Sequence, residues 1–127
     1  MKRVKASLNG LDIILHVPET LHEFKEGARA SAGHLLENEG YLFNFGKAMQ
    51  IQMENSGVFH ELALLYMYPF TKYGIVEEIE TMKKDSADII SSYGFYQIAL
   101  ELRQDFVEKH SIQKGAILVL KEDLKFI

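Results

Sequence analysis

The sequence predicts an α+β fold made mostly of antiparallel strands. Three features lead there. Asn9-Gly10 lies between two extended runs in "RVKASLNGLDIILHV", and Asn-Gly tolerates the positive φ angles of a type I′ hairpin turn. Apolar residues fall on alternate positions through "GYLFNF" and "MQIQME", the period of a strand. Only short stretches carry helical spacing. A chain of 127 residues that is 47% hydrophobic and 25% charged suits one globular domain, residues 1–127, with enough interior for a real core.

After the first hairpin, Thr20 and Glu23 form a capping-box pair, and Leu21, Phe24 and Ala28 recur at helical spacing. A short helix ending between Gly27 and Ser31 is expected. Tyr41, Phe43 and Phe45 then alternate with Leu42 and Asn44 along a strand. A turn at Gly46-Lys47 is expected to return the chain as a second strand, closing a hairpin. Met49, Ile51 and Met53 would share its core face, and Gln50, Gln52 and Glu54 the other.

"VFHELALLYMYPF" has good helix formers, but the flanking Gly57 and Pro69 favour a strand. "YGIVEEIETM" reads as its partner strand. "KKDSADIISSYG" reads as a polar loop or one helical turn, "FYQIALEL" as a strand, "RQDFVEKH" as a short helix and "AILVL" as a final buried strand. "KEDLKFI" is expected to be a charged tail or an edge strand.

Several functions are excluded or disfavoured by composition. The chain has no cysteine, which removes disulfides, thiolate metal sites and cysteine nucleophiles and fits a reducing compartment. A net charge of -4 without a basic stripe gives no electrostatic reason to expect nucleic acid or an anionic membrane as partner. The basic start is followed by the apolar run Leu11 to Leu15, which Asp12 interrupts, too short for a leader. No stretch approaches the length of a membrane span. A soluble, cytoplasmic protein is the expectation.

No complete catalytic set stands out. His60 and Glu61 adjoin, but the zincin motif needs a second histidine where Leu64 stands. On a strand their side chains would also face opposite sides. His16, His22, His34 and His110 are isolated in sequence. No serine sits in a nucleophile elbow and no glycine pattern suits phosphates or dinucleotides. Neither metal nor cofactor is expected.

The polar cluster "QIQMENSG" offers more. Gln52 and Glu54 share a strand face and Asn55 and Ser56 follow at the strand end. They read either as a solvated face with turn hydrogen bonds or as a site for a ligand. Glu61 and Glu101, each set among apolar residues in "HELALL" and "IALELR", join the candidates. A carboxylate in such company either faces solvent or is held by partners.

The order of these pieces resembles the family called domain of unknown function 192. Its members run through a "GLM-x-R" helix end, then strands "G-M-L-F-x-F", "W-M-K-N-T", "P-L-D-I-I-F-I" and "V-L-E-L", and a closing "G-I-x-x-G-D". Here the matching segments read "GYLFNF", "QMENS", "FHELALL", "ALEL" and "SIQKGA", spanning about residues 11 to 120. Gln52 stands for the family's tryptophan, Glu54 for its lysine, Ser56 for its threonine and Glu61 for its aspartate. The helix end is Gly27 to Arg29, and Ala116 replaces the closing aspartate. The resemblance implies a compact, barrel-like sheet with one or two short helices, and relatives that carry an export leader. It implies no activity, and the change from lysine to Glu54 means that an anionic ligand does not carry over.

The leading expectation is therefore a small non-catalytic binding or accessory domain. Its candidate site comprises Gln52, Glu54, Asn55, Glu61 and Glu101 at one end of the barrel, with a small molecule or a protein as partner. One rival is a hydrolase-type enzyme with Glu54 or Glu61 as general base. The other is a structural module that forms a homodimer through exposed strand edges.

Overall fold

The computed structural model describes residues 1–31 and 33–122. β1 (Lys2–Leu8) and β2 (Leu11–Val17) form the expected hairpin. Asn9 and Gly10 take φ angles of 49° and 83°, the left-handed pair that a two-residue turn requires. Asn9 also ties this turn to the far end of the chain. Its side-chain oxygen accepts from the Ile117 N–H at 2.9 Å, and its own N–H donates to the Ile117 carbonyl.

α1 (Leu21–Glu26) starts at Thr20, whose hydroxyl accepts from the Glu23 N–H at 3.1 Å. The carboxylate of Glu23 reaches back to the Glu19 N–H and to the terminal amine. The helix stops at Gly27 and passes into a 3₁₀ turn, Gly27–Ser31.

The next segment corrects the sequence reading. Gly40 to Gly57 is not a hairpin. β3 (Glu39–Met49) runs on through Gly46, pairing with β2 in parallel and with β8 (Tyr96–Arg103) in antiparallel. Its register shifts between Asn44 and Met49. Asn44 Oδ1 accepts from the Gly46 N–H at 2.8 Å, and Gly46 takes a φ of 81°. The chain therefore bulges where a turn was expected, because Asn44 satisfies the local backbone while β8 supplies the ladder on both sides. Only a two-residue strand follows, β4 (Gln52–Met53), and it pairs with β7 (Ile90–Ser91). The expected sidedness survives without the expected partner. Ile51 is buried, Met49 and Met53 are half-buried, and Gln50, Gln52 and Glu54 are exposed.

β5 (Leu62–Met67) pairs with β6 (Tyr73–Met82) and with β8. α2 (Gln104–Lys109) and β9 (Ile117–Leu120) complete the order. The polar stretch from Lys83 to Gly94 is loop apart from β7. Of the tail expected after β9, residues 123–127 lie outside the described ones.

Seven strands close a barrel in the order β1-β2-β3-β8-β5-β6-β9. Alternate side chains fill it, among them Val4, Leu15, Leu42, Leu65, Leu100 and Leu118, with Phe106 and Val107 of α2 packed against them. A second apolar cluster lies on the outer face of β3, β8 and β5. There Tyr41, Phe43, Leu64, Tyr66 and Ala99 are covered by Ala28, Leu35, Ile51 and Val58. This is why every residue of β5 is buried. One set of side chains faces the barrel interior and the other faces the covering layer. Among the described residues, no helix is long and apolar enough to cross a membrane.

Candidate functional site

The covering layer does not fit the outer face completely. A cleft of about 290 Å³ opens between α1 with its 3₁₀ turn, the aromatic residues of β3 and the segment from Gln52 to Val58. Gln52, Glu54, Asn55 and Glu101 all line it. The cleft therefore lies on the flank of the barrel, beneath the covering layer, and not at the barrel's end.

Glu101 is the floor. On β8 it alternates with Leu100 and Leu102, which point inward, so its side chain points into the outer layer between its register partners Tyr41 and Leu64. It is 3% exposed, and Oε1 has no hydrogen-bond partner. Burial alone pushes its carboxyl up to about 8, because among the described residues no cation pairs with it to offset the desolvation of the ionised form.

Gly27 roofs this oxygen. A Cβ placed there would lie 3.8 Å from Oε1 and 3.2 Å from the Phe43 ring, and the residue has a φ of 54°. Glycine at the helix end thus does two things: it takes the left-handed turn, and it leaves space over the carboxyl.

Asn55 forms one wall and is 2% exposed. Its Nδ2 donates to the carbonyls of His60 at 2.9 Å and Lys83 at 3.0 Å, and its backbone N–H donates to Ser86. These bonds use both amide hydrogens, so the orientation of the side chain is fixed by its partners. Oδ1 is left buried and unpaired. Turn bonding and an open acceptor, which the sequence posed as alternatives, coexist in one residue.

Gln52 and Glu54 are exposed at the rim. The Arg29 guanidinium also borders the cleft, but it donates to the Lys25 carbonyl at 3.1 Å and the Glu26 carbonyl at 3.4 Å, closing off the end of α1. Phe24 meets Phe43 and Phe45 edge to face, with ring centroids 5.3 and 5.1 Å apart, and these rings make the apolar side.

Glu61 is not part of this arrangement. β5 begins one residue after it, and its exposed side chain borders a separate depression with His60, Arg103 and Asp105. Burial and the nearby Arg103 charge hold the His60 imidazole below its ordinary value. Among the described residues, no group of three histidine or acidic side chains could hold a metal ion.

A second polar cluster lies farther along the same outer face. Glu78 accepts from the N–H groups of Tyr93 and Gly94 at 2.8 and 3.0 Å and from the Tyr96 hydroxyl at 3.0 Å. Burial raises its carboxyl, but these donors outweigh it and hold the group below the usual range. Beside it, burial and the Glu78 carboxylate push Glu80 up.

Sequence reasoning did not single out Phe24, Gly27 or Arg29 as lining residues. The signal was present in the helix-end segment "GAR", which marks where the chain crosses the outer face. Phe43 and Phe45 were read only as core. Phe43 is buried, but Phe45 is half-buried at the cleft.

The model of the family domain of unknown function 192, described as uncharacterized ACR, matches residues 4–120. The chain belongs to this family. Its fold is shared with two crystal structures. One, of a candidate transcription regulator from Sinorhizobium meliloti 1021, has a TM-score of 0.80 at 20% identity, with 94% of each chain covered. The other, a protein of unknown function from Novosphingobium aromaticivorans DSM 12444, has a TM-score of 0.74 at 14% identity over 91% of this chain and 84% of that one. At these identities the likeness of the two structures to this chain concerns architecture alone. No curated protein matches the chain significantly.

Proposed function

We propose that the protein is a small, non-catalytic binding or accessory module that holds a ligand in the cleft between Gly27 and Glu101. One observation carries this reading. Two buried acceptor oxygens, Asn55 Oδ1 and Glu101 Oε1, stand unpaired on residues that line the same cleft. An unsatisfied buried polar atom costs about 1–3 kcal/mol. A ligand that brings hydrogen-bond donors to both would recover that cost on binding.

The hydrolase reading has less support. Glu54 and Glu61 are exposed, so neither has the burial that tuning a general base requires, and Glu61 lies outside the cleft.

The test is a thermal-shift panel of amines, sugars, nucleotides and short peptides on the wild type and on Glu101→Gln. A ligand at a hundred times its dissociation constant adds about 2.7 kcal/mol to stability. The binding reading predicts at least one such shift, lost in the folded variant. Silence across the panel, or shifts that the variant keeps in full, would contradict it.

A further inference from the structure

We propose that the head group accepted by this cleft is a primary ammonium. It would be held between Asn55 Oδ1 and the Glu101 carboxylate, with its carbon chain against Phe24, Phe43 and Phe45. The proposal rests on the reading of the cleft as a binding site and adds the chemical class of the ligand.

Both amide hydrogens of Asn55 are already donated to backbone carbonyls, so the one hydrogen-bonding function this lining side chain has left is the acceptor Oδ1. Glu101 likewise presents an oxygen without a partner. An anionic head group would face these lone pairs. Of the five N–H donors of the Arg29 guanidinium, two are held by the carbonyls of Glu26 and Lys25, which fixes the group at the end of α1 on the rim. A neutral hydroxyl brings one donor and satisfies both oxygens only while Glu101 is protonated and donates to it, whereas an ammonium brings three donors and serves both oxygens with Glu101 ionised.

Burial without a neighbouring cation pushes the Glu101 carboxyl up to about 8, which favours its protonated form at neutral pH. An ammonium supplies the missing cation, so its uptake sends the Glu101 proton to solvent and leaves a charge-assisted pair. The other ionisable groups about Glu101 are Tyr41 of β3, Tyr66 of β5 and, at the rim, Lys25, Glu26, Arg29 and Glu54. Rim acids and bases are matched in number, so the rim adds no strong preference and Glu101 decides. Phenylalanine rings attract a cation and cover an alkyl chain at once. At about 290 Å³ the cleft suits a small molecule.

The experiment is a titration followed by amide proton–nitrogen NMR with three probes of equal chain length: n-butylammonium, n-butanol and butyrate. It is run at about pH 8.5, where loss of the Glu101 proton costs little. n-Butylammonium is expected to give saturable shifts at Gly27, Gln52 to Ser56 and Glu101. Its affinity should exceed that of either other probe by about tenfold or more, and Glu101→Gln should remove that margin while keeping the dispersed spectrum of a folded protein. Contacts from the butyl protons to the Phe24 and Phe45 rings, seen in wild type, do not depend on any variant. Equal or tighter binding of butanol or butyrate at the same amides would overturn the ammonium and leave the cleft as a site. Shifts absent for all three probes, or confined to other surfaces, would overturn both.

Discussion

Replacing Glu101 with glutamine should change how stability depends on pH. In the folded protein the carboxyl sits at about 8 against an ordinary 4.5, so the fold binds this proton more tightly than the unfolded chain does. The stabilisation from Glu101 is therefore full below the ordinary value and is lost as the pH rises toward 8. The slope is about 1.4 kcal/mol per pH unit, and the loss accumulates to about 4 kcal/mol at pH 8. That is a large part of the stability of a domain this size. Glutamine keeps the shape and cannot ionise. The assay is urea denaturation of wild type and Glu101→Gln from about pH 5 to about pH 8. Every other titrating group is common to both proteins, so the difference between them isolates Glu101. The variant should gain on the wild type steadily across this range. Curves that run parallel within about 1 kcal/mol would show that Glu101 is solvated or paired, and the reasoning about the cleft floor would fail.

Other residues make further expectations. Asn55→Ala removes the donors to the His60 and Lys83 carbonyls and should cost about 2 kcal/mol in urea denaturation, while Asn55→Asp, which puts an acceptor oxygen against both of them, should cost more; the reverse order would show the amide to be oriented otherwise. Gly27→Ala places a Cβ 3.2 Å from the Phe43 ring at a φ of 54° and should lower stability by about 1–2 kcal/mol, which a melting curve reads. Glu78→Gln weakens the bonds to Tyr93 and Gly94, and hydrogen exchange at those two amides should quicken by roughly tenfold. Because the Glu78 carboxyl is held low in the fold, its contribution is complete above the ordinary glutamate value and is lost as the pH falls through the folded one. The protection of these amides in wild type, measured against their intrinsic exchange rate at each pH, should therefore fall in acid.

Much of the fold could be read locally. The Asn9-Gly10 turn, the strands β5, β6, β8 and β9 and the short helix α2 all have their signals inside their own segments. Pairing was harder. Gly46 looked like a turn because nothing nearby shows that Tyr96 and Ile98, some fifty residues on in sequence, continue the ladder past Asn44. The alternation from Met49 to Glu54 survived this error because it depends only on which face is covered.

The site divides along the same line. Glu61 and Glu101 look alike in sequence, each a carboxylate amid apolar residues. They differ in the fold because β5 starts at Leu62, leaving Glu61 in water, whereas Glu101 lies within β8 beneath the 3₁₀ turn. That covering comes from residues more than seventy positions earlier in the chain, and no local pattern announces it. Asn55 was legible as a polar strand end, but its fixed amide depends on His60 and Lys83 meeting across two loops.

The claim that the cleft is a binding site is tested most directly by a crystallographic fragment screen on the wild-type protein. The account predicts fragments seated between Gly27 and Glu101, each with a donor within hydrogen-bond distance of Asn55 Oδ1, of the Glu101 carboxyl or of both. Fragments gathered instead in the apolar depression beside Pro18 and Leu21, with the Glu101 cleft holding only water in every crystal, would contradict it.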